Sequence, residues 1–318
     1  MRAAVVTAFG QPPRYQQYPD PRPAEGEVLV RVLAAGLHPR VRSGAAGTHY
    51  TSDQTLPLVP GFDGVGRTPE NTRVFFGGLK APNGSMAEYI AIPADQLVPL
   101  PDGVDDIMVA AAMNPAVSAW LALTHRAELK PGEHVLILGA TGNAGQMAIQ
   151  LARLLGAGTI TAAGRNAQAL AKLPALGADH AVSLDTDDDT VARRLAQAAA
   201  NADVVVDYLW GHPTEVALAA LTSARTDAAH RLRWVHVGAM AGPTIALPGA
   251  TLRKADVDFR GSGQGSVSPA GMRAAHRDLA DRLPTAGLTI DTLTMPLRDV
   301  ESAWTANTPT GTRIVLVP

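Results

Sequence analysis

The chain has 318 residues and a mass of 33.1 kDa, which is too long for one small core and favours two domains. Hydrophobic residues make up 46% and charged residues 18%, as in ordinary globular proteins, and the formal net charge of -2 offers no basic field for nucleic acid or an anionic membrane. Cysteine is absent, which excludes disulfides, thiol nucleophiles and cysteine-ligated zinc or iron–sulfur sites.

The amino-terminal stretch MRAAVVTAFGQPP has no long apolar run and no small-residue cleavage signal. No later stretch is expected to be long and apolar enough to span a bilayer. The predicted location is therefore the cytoplasm.

Short strands rich in Val, Leu and Ile are predicted before residue 110, with Gly and Pro between them. Examples are GEVLVRVLAAGL at 26–37, NTRVFFGG at 71–78 and SMAEYIAIP at 85–93. This pattern indicates a β-rich, barrel-like domain.

From Pro115 onward, apolar helices alternate with strands. Helices are predicted at 116–127, after the glycine-rich turn 139–145, at 167–176 and near 215–221; strands are predicted at 134–139, 159–164, 203–209 and 233–239. The acidic run 185–189 is expected to be a solvated loop. The alternation predicts a parallel, doubly wound sheet with helices on both faces.

After about Ser266 the pattern returns to a helix and short strands, ending in TRIVLVP. A terminal strand of this kind is expected to join the sheet of the first domain. The sequence thus predicts an α/β protein with a catalytic domain at 1–114 and 266–318 and a nucleotide domain at 115–265.

The turn 139–145 indicates a nucleotide site because it follows a strand and opens an amphipathic helix. Gly142 leaves room for a pyrophosphate, Gly145 allows the helix to pack on the strand, and the helix directs its N–H groups at the anion. The candidate cofactor-binding residues in this turn are Gly139, Ala140, Thr141, Gly142, Asn143, Ala144 and Gly145.

The end of the second strand, Gly164, Arg165 and Asn166, indicates which nucleotide is bound. An acidic residue here would accept a hydrogen bond from a ribose 2′-hydroxyl, whereas a guanidinium suits a 2′-phosphate. The sequence therefore favours NADPH. The alternative is that Arg165 is a solvated surface residue.

Motifs along nearly the whole chain resemble the medium-chain dehydrogenase/reductase superfamily, within it the zinc-free quinone oxidoreductase and enoyl reductase branch. They are GEVLVRVLAAGLHP from Gly26, LPLVPGFDGVG from Leu56, GSMAEYIAIP from Gly84, KPGEHVLILGATGNAGQMAIQLAR from Lys130, LGADHAVSLD from Leu176 and GTRIVLVP at the end. The resemblance implies a GroES-like β-barrel catalytic domain with a Rossmann NADPH-binding domain. It also implies a homodimer that pairs the edge strand at 256–260 across a two-fold axis.

Zinc-dependent members of this superfamily carry metal ligands at positions where this chain has His38, then Phe62 with Asp63, then Asn114. Phenylalanine cannot bind zinc, and one histidine with one amide falls short of three protein ligands. No metal is therefore expected. A conjugated acceptor depends less on a Lewis acid than a simple ketone does, because the negative charge spreads into an enolate or an aromatic ring.

Two residues are candidates for catalysis. By its resemblance to enoyl-thioester reductases, Tyr50 is a proton donor or polar anchor, or else an aromatic wall of the pocket. His38 could donate to the substrate carbonyl or to the nicotinamide ribose, or be a satisfied structural histidine. The neighbouring His49 is expected to face solvent, away from Tyr50 if the segment is extended.

The remaining candidates are assigned by resemblance or by their place at strand ends. Phe62, Asn114 and Trp210 are expected to line the acceptor cavity, or to serve ordinary packing. The other cofactor candidates are Ser118 on the helix that opens the nucleotide domain, Tyr208, Leu209, Val237, Gly238 and Ala239 at strand ends, and Arg313, which reaches the pyrophosphate in some members or else lies on the surface.

The sequence predicts an NADPH-dependent, zinc-independent reductase that transfers hydride to a small-molecule acceptor, a quinone or an α,β-unsaturated carbonyl compound. The alternative is an NADPH-binding protein without physiological turnover, as in zeta-crystallin-like members of the branch.

Overall fold

The computed structural model describes residues 1–52 and 54–318, which divide into two compact units. The first unit contains residues 1–114 and 276–318, and the second contains 115–275. The sequence places the second boundary at 265/266, ten residues before the end of the second unit at 275.

The first unit is built mainly from antiparallel strands. Its strands are β1 (Arg2–Val5), β2 (Arg14–Gln17), β3 (Glu27–Leu37), β4 (Asp63–Arg67), β5 (Arg73–Gly77), β6 (Tyr89–Pro93), β7 (Leu97–Pro99), β14 (Asp291–Pro296) and β15 (Thr312–Val317). Seven of them form one sheet, ordered β14-β15-β3-β4-β5-β7 with β6 also paired to β3. Strand β15 pairs antiparallel with β3, which confirms that the terminal strand joins the first domain's sheet.

Two short helices belong to the first unit, α1 (Pro39–Ala45) and α9 (Val300–Thr305). Buried aliphatic side chains of β1, β3 and β15 form its main core together with Leu297 and Val300. The long β3 packs so closely that a side chain at Gly36 would lie 2.5 Å from the Ala110 carbonyl oxygen. A residue larger than glycine at position 36 would therefore push β3 away from the segment that contains Ala110.

The second unit is a six-stranded parallel sheet in the order β10-β9-β8-β11-β12-β13. Its strands are β8 (His134–Leu138), β9 (Thr159–Gly164), β10 (His180–Ser183), β11 (Val204–Asp207), β12 (Leu232–His236) and β13 (Val257–Gly261). The chain runs outward from β8 to β10 and then returns to β11 on the other side of β8. The strand order therefore reverses between β8 and β11, where parallel sheets bind ligands at their carboxyl ends.

Helices connect these strands or extend from the ends of the second unit: α2 (Asp106–Leu121), α3 (Asn143–Leu154), α4 (Ala167–Leu170), α5 (Asp188–Ala199), α6 (Gly211–Ala224), α7 (Gly249–Lys254) and α8 (Pro269–Ala286). Trp234, Leu136 and Leu218 are among the fully buried side chains of the core. The observed fold is the predicted one, a barrel-like unit with a Rossmann unit.

Several predicted elements need correction. The helix predicted at 167–176 is interrupted: α4 ends at Leu170 and a 3-10 turn follows at Leu173–Leu176, because Pro174 cannot continue an α-helical hydrogen-bond pattern. The acidic run is only partly a loop, because the Asp187 side chain accepts from the Thr190 N–H and caps α5.

The helix predicted at 116–127 is longer than expected and begins at Asp106, with a π-helical turn at Ala122–Arg126. Residues 106–126 are long and apolar enough to cross a membrane by length and composition, so the expectation that no stretch would qualify is wrong. Most of this stretch is buried inside the protein, which is the behaviour of a core helix.

Candidate active site

The glycine-rich turn between β8 and α3 has a conformation that only small residues permit. Gly139 adopts a φ of +84°, and the N–H groups of Gly139 and Ala140 both donate to the Ala163 carbonyl oxygen. A side chain at Gly145 would lie 2.4 Å from the Gly139 carbonyl oxygen and 2.5 Å from the Ala140 Cα. Gly145 therefore lets α3 pack directly on the turn.

The amino terminus of α3 is suited to an anion. Gly142 precedes the helix, and within residues 1–52 and 54–318 no side chain caps it. A Cβ added at Gly142 would meet only the Gly139 carbonyl oxygen, at 3.7 Å, so the approach to the first N–H groups is open. The Asn143 Oδ1 atom is buried without a hydrogen-bond partner among the described residues. These features fit a pyrophosphate.

The end of β9 carries the predicted selectivity residues. Arg165 is exposed, as a residue that binds a phosphate must be. Glycine is needed at position 164 for packing, because a side chain there would lie 2.6 Å from the Thr141 Cγ2 atom. The Asn166 side chain accepts from the Ala169 N–H at 2.8 Å and caps α4. The Asn166 side chain thus has a structural role as the cap of α4.

The ends of β11 and β12 lie against the glycine-rich turn. A side chain at Gly139 would lie 3.1 Å from Leu209 and 3.2 Å from Tyr208. A side chain at Gly238 would lie 3.0 Å from the Tyr208 carbonyl oxygen. Burial raises the pKa of Tyr208, while the nearby Ser118 hydroxyl opposes this to a lesser degree. The structure thus brings the predicted cofactor residues at these strand ends together.

Asp207, the last residue of β11, organises this edge of the sheet. Its buried carboxylate accepts from the N–H groups of Leu209 and Trp210, at 2.8 and 3.0 Å. It also accepts from the Thr214 hydroxyl at 2.6 Å and from the Trp234 indole at 3.0 Å. Sequence analysis missed this residue, although an acidic side chain at the end of an apolar strand was a visible signal.

In the first unit, His38 and Asp63 form a buried pair. His38 Nε2 lies 3.1 Å from Asp63 Oδ1, and each residue is 2% exposed. Burial lowers the pKa of His38 more strongly than Asp63 raises it. The neutral imidazole therefore donates Nε2–H to the carboxylate and keeps a lone pair on Nδ1. Nδ1 is buried and has no hydrogen-bond partner in the described part of the chain.

Arg313 is not a surface residue, so that alternative is wrong. It is 5% exposed, and Nη1 donates to the Leu37 carbonyl oxygen at 3.2 Å. Burial lowers its pKa to about 10, while the charge of Asp63 opposes this. This contact lies within the first unit and lends no support to a pyrophosphate role.

Two other predicted residues of the first unit, Phe62 and Tyr50, interact with Arg40. The Arg40 guanidinium carbon lies 3.6 Å from the centroid of the Phe62 ring, so the guanidinium covers one face of that ring. Burial lowers the pKa of Arg40, whereas Asp63 and Tyr50 raise it. Asn114 is half-buried at the last position of the unit's first segment. The first unit thus brings together two arginines and one carboxylate around His38.

Tyr50 is 74% exposed, and its ring stacks on His49 with the centroids 4.4 Å apart. The expectation that the two side chains alternate away from each other is wrong, because the Thr51 N–H donates to His49 Nδ1 and the segment is a turn. His49 is accordingly half-buried rather than fully solvated.

Comparison with known proteins identifies relatives over the whole chain. Residues 144–281 match the family described as zinc-binding dehydrogenase. A protein of Emericella nidulans named "Probable NADPH-dependent quinone reductase tdiC" is 30% identical, with 100% of each chain covered. The quinone oxidoreductase of Homo sapiens is 36% identical over 176 residues, which cover 52% of this chain and 53% of the human one.

The fold has a solved counterpart. The quinone oxidoreductase of Thermus thermophilus, also solved in complex with NADPH, has a TM-score of 0.83 and 29% identity, with 100% of each chain covered. The glycine-rich turn, the strand order and these relatives lead to one conclusion. The chain is an oxidoreductase that belongs to the medium-chain dehydrogenase/reductase superfamily, in its quinone oxidoreductase branch.

Proposed function

We propose that this protein is an NADPH-dependent reductase of quinones or α,β-unsaturated carbonyl compounds and that it works without zinc. The observation that carries the proposal is the uncapped start of α3 behind an open Gly142, with Arg165 exposed at the end of β9. NADPH, when bound, supplies a hydride from its nicotinamide ring. The N–H groups of α3 hold the pyrophosphate, and Arg165 binds the 2′-phosphate.

The residues at the position of the zinc ligands do not fit a zinc ion. The His38 Nε2 atom is already paired with Asp63, and the Phe62 ring lies under a guanidinium. The charges of Arg313 and Arg40 disfavour a further positive charge at His38, whereas the charge of Asp63 favours one more strongly than either arginine opposes it. Within the described ranges, no group of three His, Asp or Glu side chains could hold a metal.

The same charges suit an acceptor that gains negative charge. Arg313 and Arg40 lie near the single carboxylate of Asp63 in a largely buried setting, and Asp63 acts on His38 more strongly than either arginine does. An acceptor oxygen held by the two guanidiniums is stabilised as an enolate or a reduced quinone oxygen. In the first unit, arginine side chains rather than a metal ion polarise the acceptor oxygen.

His38 and Tyr50 have different roles in this proposal. Neutral His38 donates its Nε2–H to Asp63, so Nδ1 accepts a hydrogen bond from a hydroxyl of the reduced acceptor. The donor role considered for His38 would require a second proton, which its lowered pKa disfavours. Tyr50 or water then supplies the proton.

The proposal includes a cytoplasmic homodimer that acts on a small molecule. Strand β13 lies at the edge of the six-stranded sheet, which leaves one side of it available to a second copy. Light scattering is expected to give twice the chain mass, and a monomer at working concentration contradicts the dimer.

NADPH oxidation against a panel of acceptors tests the function. The panel contains benzoquinone, phenanthrenequinone, simple enones and an enoyl thioester, each with and without EDTA, and with NADH in place of NADPH as a control. We expect turnover of quinones or enones that EDTA does not change. Loss of turnover in EDTA that zinc restores would overturn the zinc-free proposal, and no turnover on the whole panel would overturn the reductase.

A further inference from the structure

Asp207 carries a negative charge in the interior of the second unit. Its carboxylate is fully buried, and Oδ1 accepts from the N–H groups of Leu209 and Trp210. Oδ2 accepts from the Thr214 hydroxyl and from the Trp234 indole. Two donors on each oxygen leave no place for a proton on the carboxyl group, so Asp207 is ionised.

Within residues 1–52 and 54–318, no cation pairs with this charge. The four groups that donate to Asp207 are all uncharged. His236 lies opposite Asp207 in the pairing of β11 with β12, but burial lowers the pKa of His236 more strongly than Asp207 raises it, so this ring is neutral. The charge is therefore stabilised by the dipoles of its hydrogen bonds and of the start of α6, and it still acts on its surroundings.

Part of the role of Asp207 is structural. Trp210 adopts φ +53° and ψ −168°, at the margin of a region that bulky residues rarely occupy, and its N–H donates to Asp207. On the other side of the turn, the Ala241 N–H donates to the Leu209 carbonyl oxygen at 2.7 Å. The turn requires one acceptor oxygen at position 207, which the uncharged side chain of asparagine also offers. Holding the turn therefore does not by itself require a charge.

The position of Asp207 in the sheet places its charge near one half of the cofactor. Asp207 lies opposite Leu138 in the pairing of β11 with β8, and Gly139 of the phosphate-binding turn follows Leu138. Arg165, at the end of β9, lies on the other side of β8. With the pyrophosphate at the start of α3 and the 2′-phosphate at Arg165, the nicotinamide half extends over the ends of β11 and β12.

Only this half of the cofactor changes its charge in the reaction. NADP+ has one positive charge on the nicotinamide ring that NADPH lacks, because a hydride has left to the acceptor. The phosphates carry the same charge in both forms, so their repulsion from Asp207 cancels when the two are compared. Two unit charges about 10 Å apart, two strand spacings, attract each other enough to change a binding constant about tenfold at an effective dielectric constant of about 20.

We propose that the buried charge of Asp207 strengthens the binding of NADP+ relative to NADPH and so makes the bound cofactor a stronger hydride donor. The inference rests on the proposed binding mode of NADPH and holds for any acceptor that the protein reduces. Asp207 acts through its electric field, in addition to holding the turn at Trp210.

The test measures the dissociation constants of NADP+ and NADPH by calorimetry, without turnover. Asp207→Asn keeps an oxygen for the Leu209 and Trp210 N–H groups but removes the charge. We expect the ratio of the NADP+ to the NADPH dissociation constant to rise about tenfold, which equals about 30 mV in the two-electron potential of the bound cofactor. Asp203→Asn, a matched change directly before the other end of β11, should leave the ratio unchanged.

A second variant keeps the test decisive if the new amide disturbs the fold. In Asp207→Asn the amide N–H groups face the Trp234 indole N–H, so two donors meet. Combining Asp207→Asn with Trp234→Phe removes this conflict, and Trp234→Phe alone is the reference. We expect the same tenfold difference in the ratio between these two variants.

The outcomes separate this inference from the proposed function. An equal change of both dissociation constants on removal of the charge means that Asp207 is only structural, and it overturns the inference. If the unmodified protein binds neither nucleotide, the cofactor assignment fails and the inference fails with it. If both nucleotides bind but no quinone or enone is turned over, the proposed function is wrong, and the ratio still decides the role of Asp207.

Discussion

Gly142→Ala should separate cofactor binding from folding. The added Cβ meets no atom closer than 3.7 Å, and the backbone of Gly142, at φ −80° and ψ 166°, suits alanine. The alanine side chain restricts the unfolded chain, which raises the free energy of unfolding by about 0.4–1 kcal/mol. Alanine is a poorer N-cap than glycine, which lowers the free energy of unfolding by about 1 kcal/mol. The two effects nearly cancel, so the free energy of unfolding without ligand should hardly change.

NADPH binding should respond quite differently to the same methyl group. The methyl group added at Gly142 would occupy the open space in front of the first N–H groups of α3, where the pyrophosphate is expected to bind. Losing one charge-assisted hydrogen bond costs about 1.5–3 kcal/mol, which corresponds to a dissociation constant about 10- to 150-fold higher. NADPH should accordingly stabilise Gly142→Ala against unfolding far less than it stabilises the unmodified protein.

Gly145→Ala is the matched control, because its Cβ would meet backbone atoms at 2.4 and 2.5 Å that cannot move cheaply. We expect it to lower the free energy of unfolding by about 1–3 kcal/mol even without ligand. Urea unfolding with and without NADPH, together with a fluorescence titration, measures both effects. Unchanged NADPH affinity in Gly142→Ala refutes the placement of the pyrophosphate, and unchanged stability in Gly145→Ala refutes the packing argument.

Three further predictions follow from single side chains. Arg165→Ala should raise the Michaelis constant about tenfold for NADPH and little for NADH, because only NADPH carries the 2′-phosphate; equal effects contradict the assignment. Tyr50→Phe should lower kcat about tenfold or more at unchanged NADPH affinity, and unaltered turnover removes its chemical role. Burial lowers the pKa of His276 to about 4 from the ordinary 6.5, so below pH 6.5 the unfolded chain takes up a proton that the folded protein refuses. Stability should therefore fall by about 3 kcal/mol as the pH drops from 6.5 to 4. Urea unfolding against pH should show that His276→Gln abolishes this loss of stability and that the exposed His212→Gln does not.

The cofactor half could be predicted from the sequence because its determinants are local. Strand β8, the turn 139–145 and helix α3 are contiguous, and each glycine serves neighbours within a few positions. Local determinants were also sufficient for the exact bounds of β9 at 159–164. Misjudged elements such as 167–176 and the acidic run had local signals too, in Pro174 and in the capping side chain of Asp187.

The arrangement of the residues expected to bind the acceptor in the first unit depends on contacts between residues far apart in the sequence. Tyr50 and Phe62 were identifiable as candidates, but the stacking of Arg40 on Phe62, 22 positions away, was not. The strain at Trp210 was likewise invisible, because it arises from Asp207 and the segment after β12 acting on one turn.

The sequence by itself determined the two-domain α/β organisation, the superfamily and the NADPH turn, since apolar periodicity and glycine spacing act over a few residues. Only the tertiary structure decided the electrostatics around His38. The order β15-β3-β4 in one sheet brings Arg313, His38 and Asp63 together although Arg313 and Leu37 are 276 positions apart. Charges interact through space and not along the chain, so their pairing is fixed only when the strands are in register.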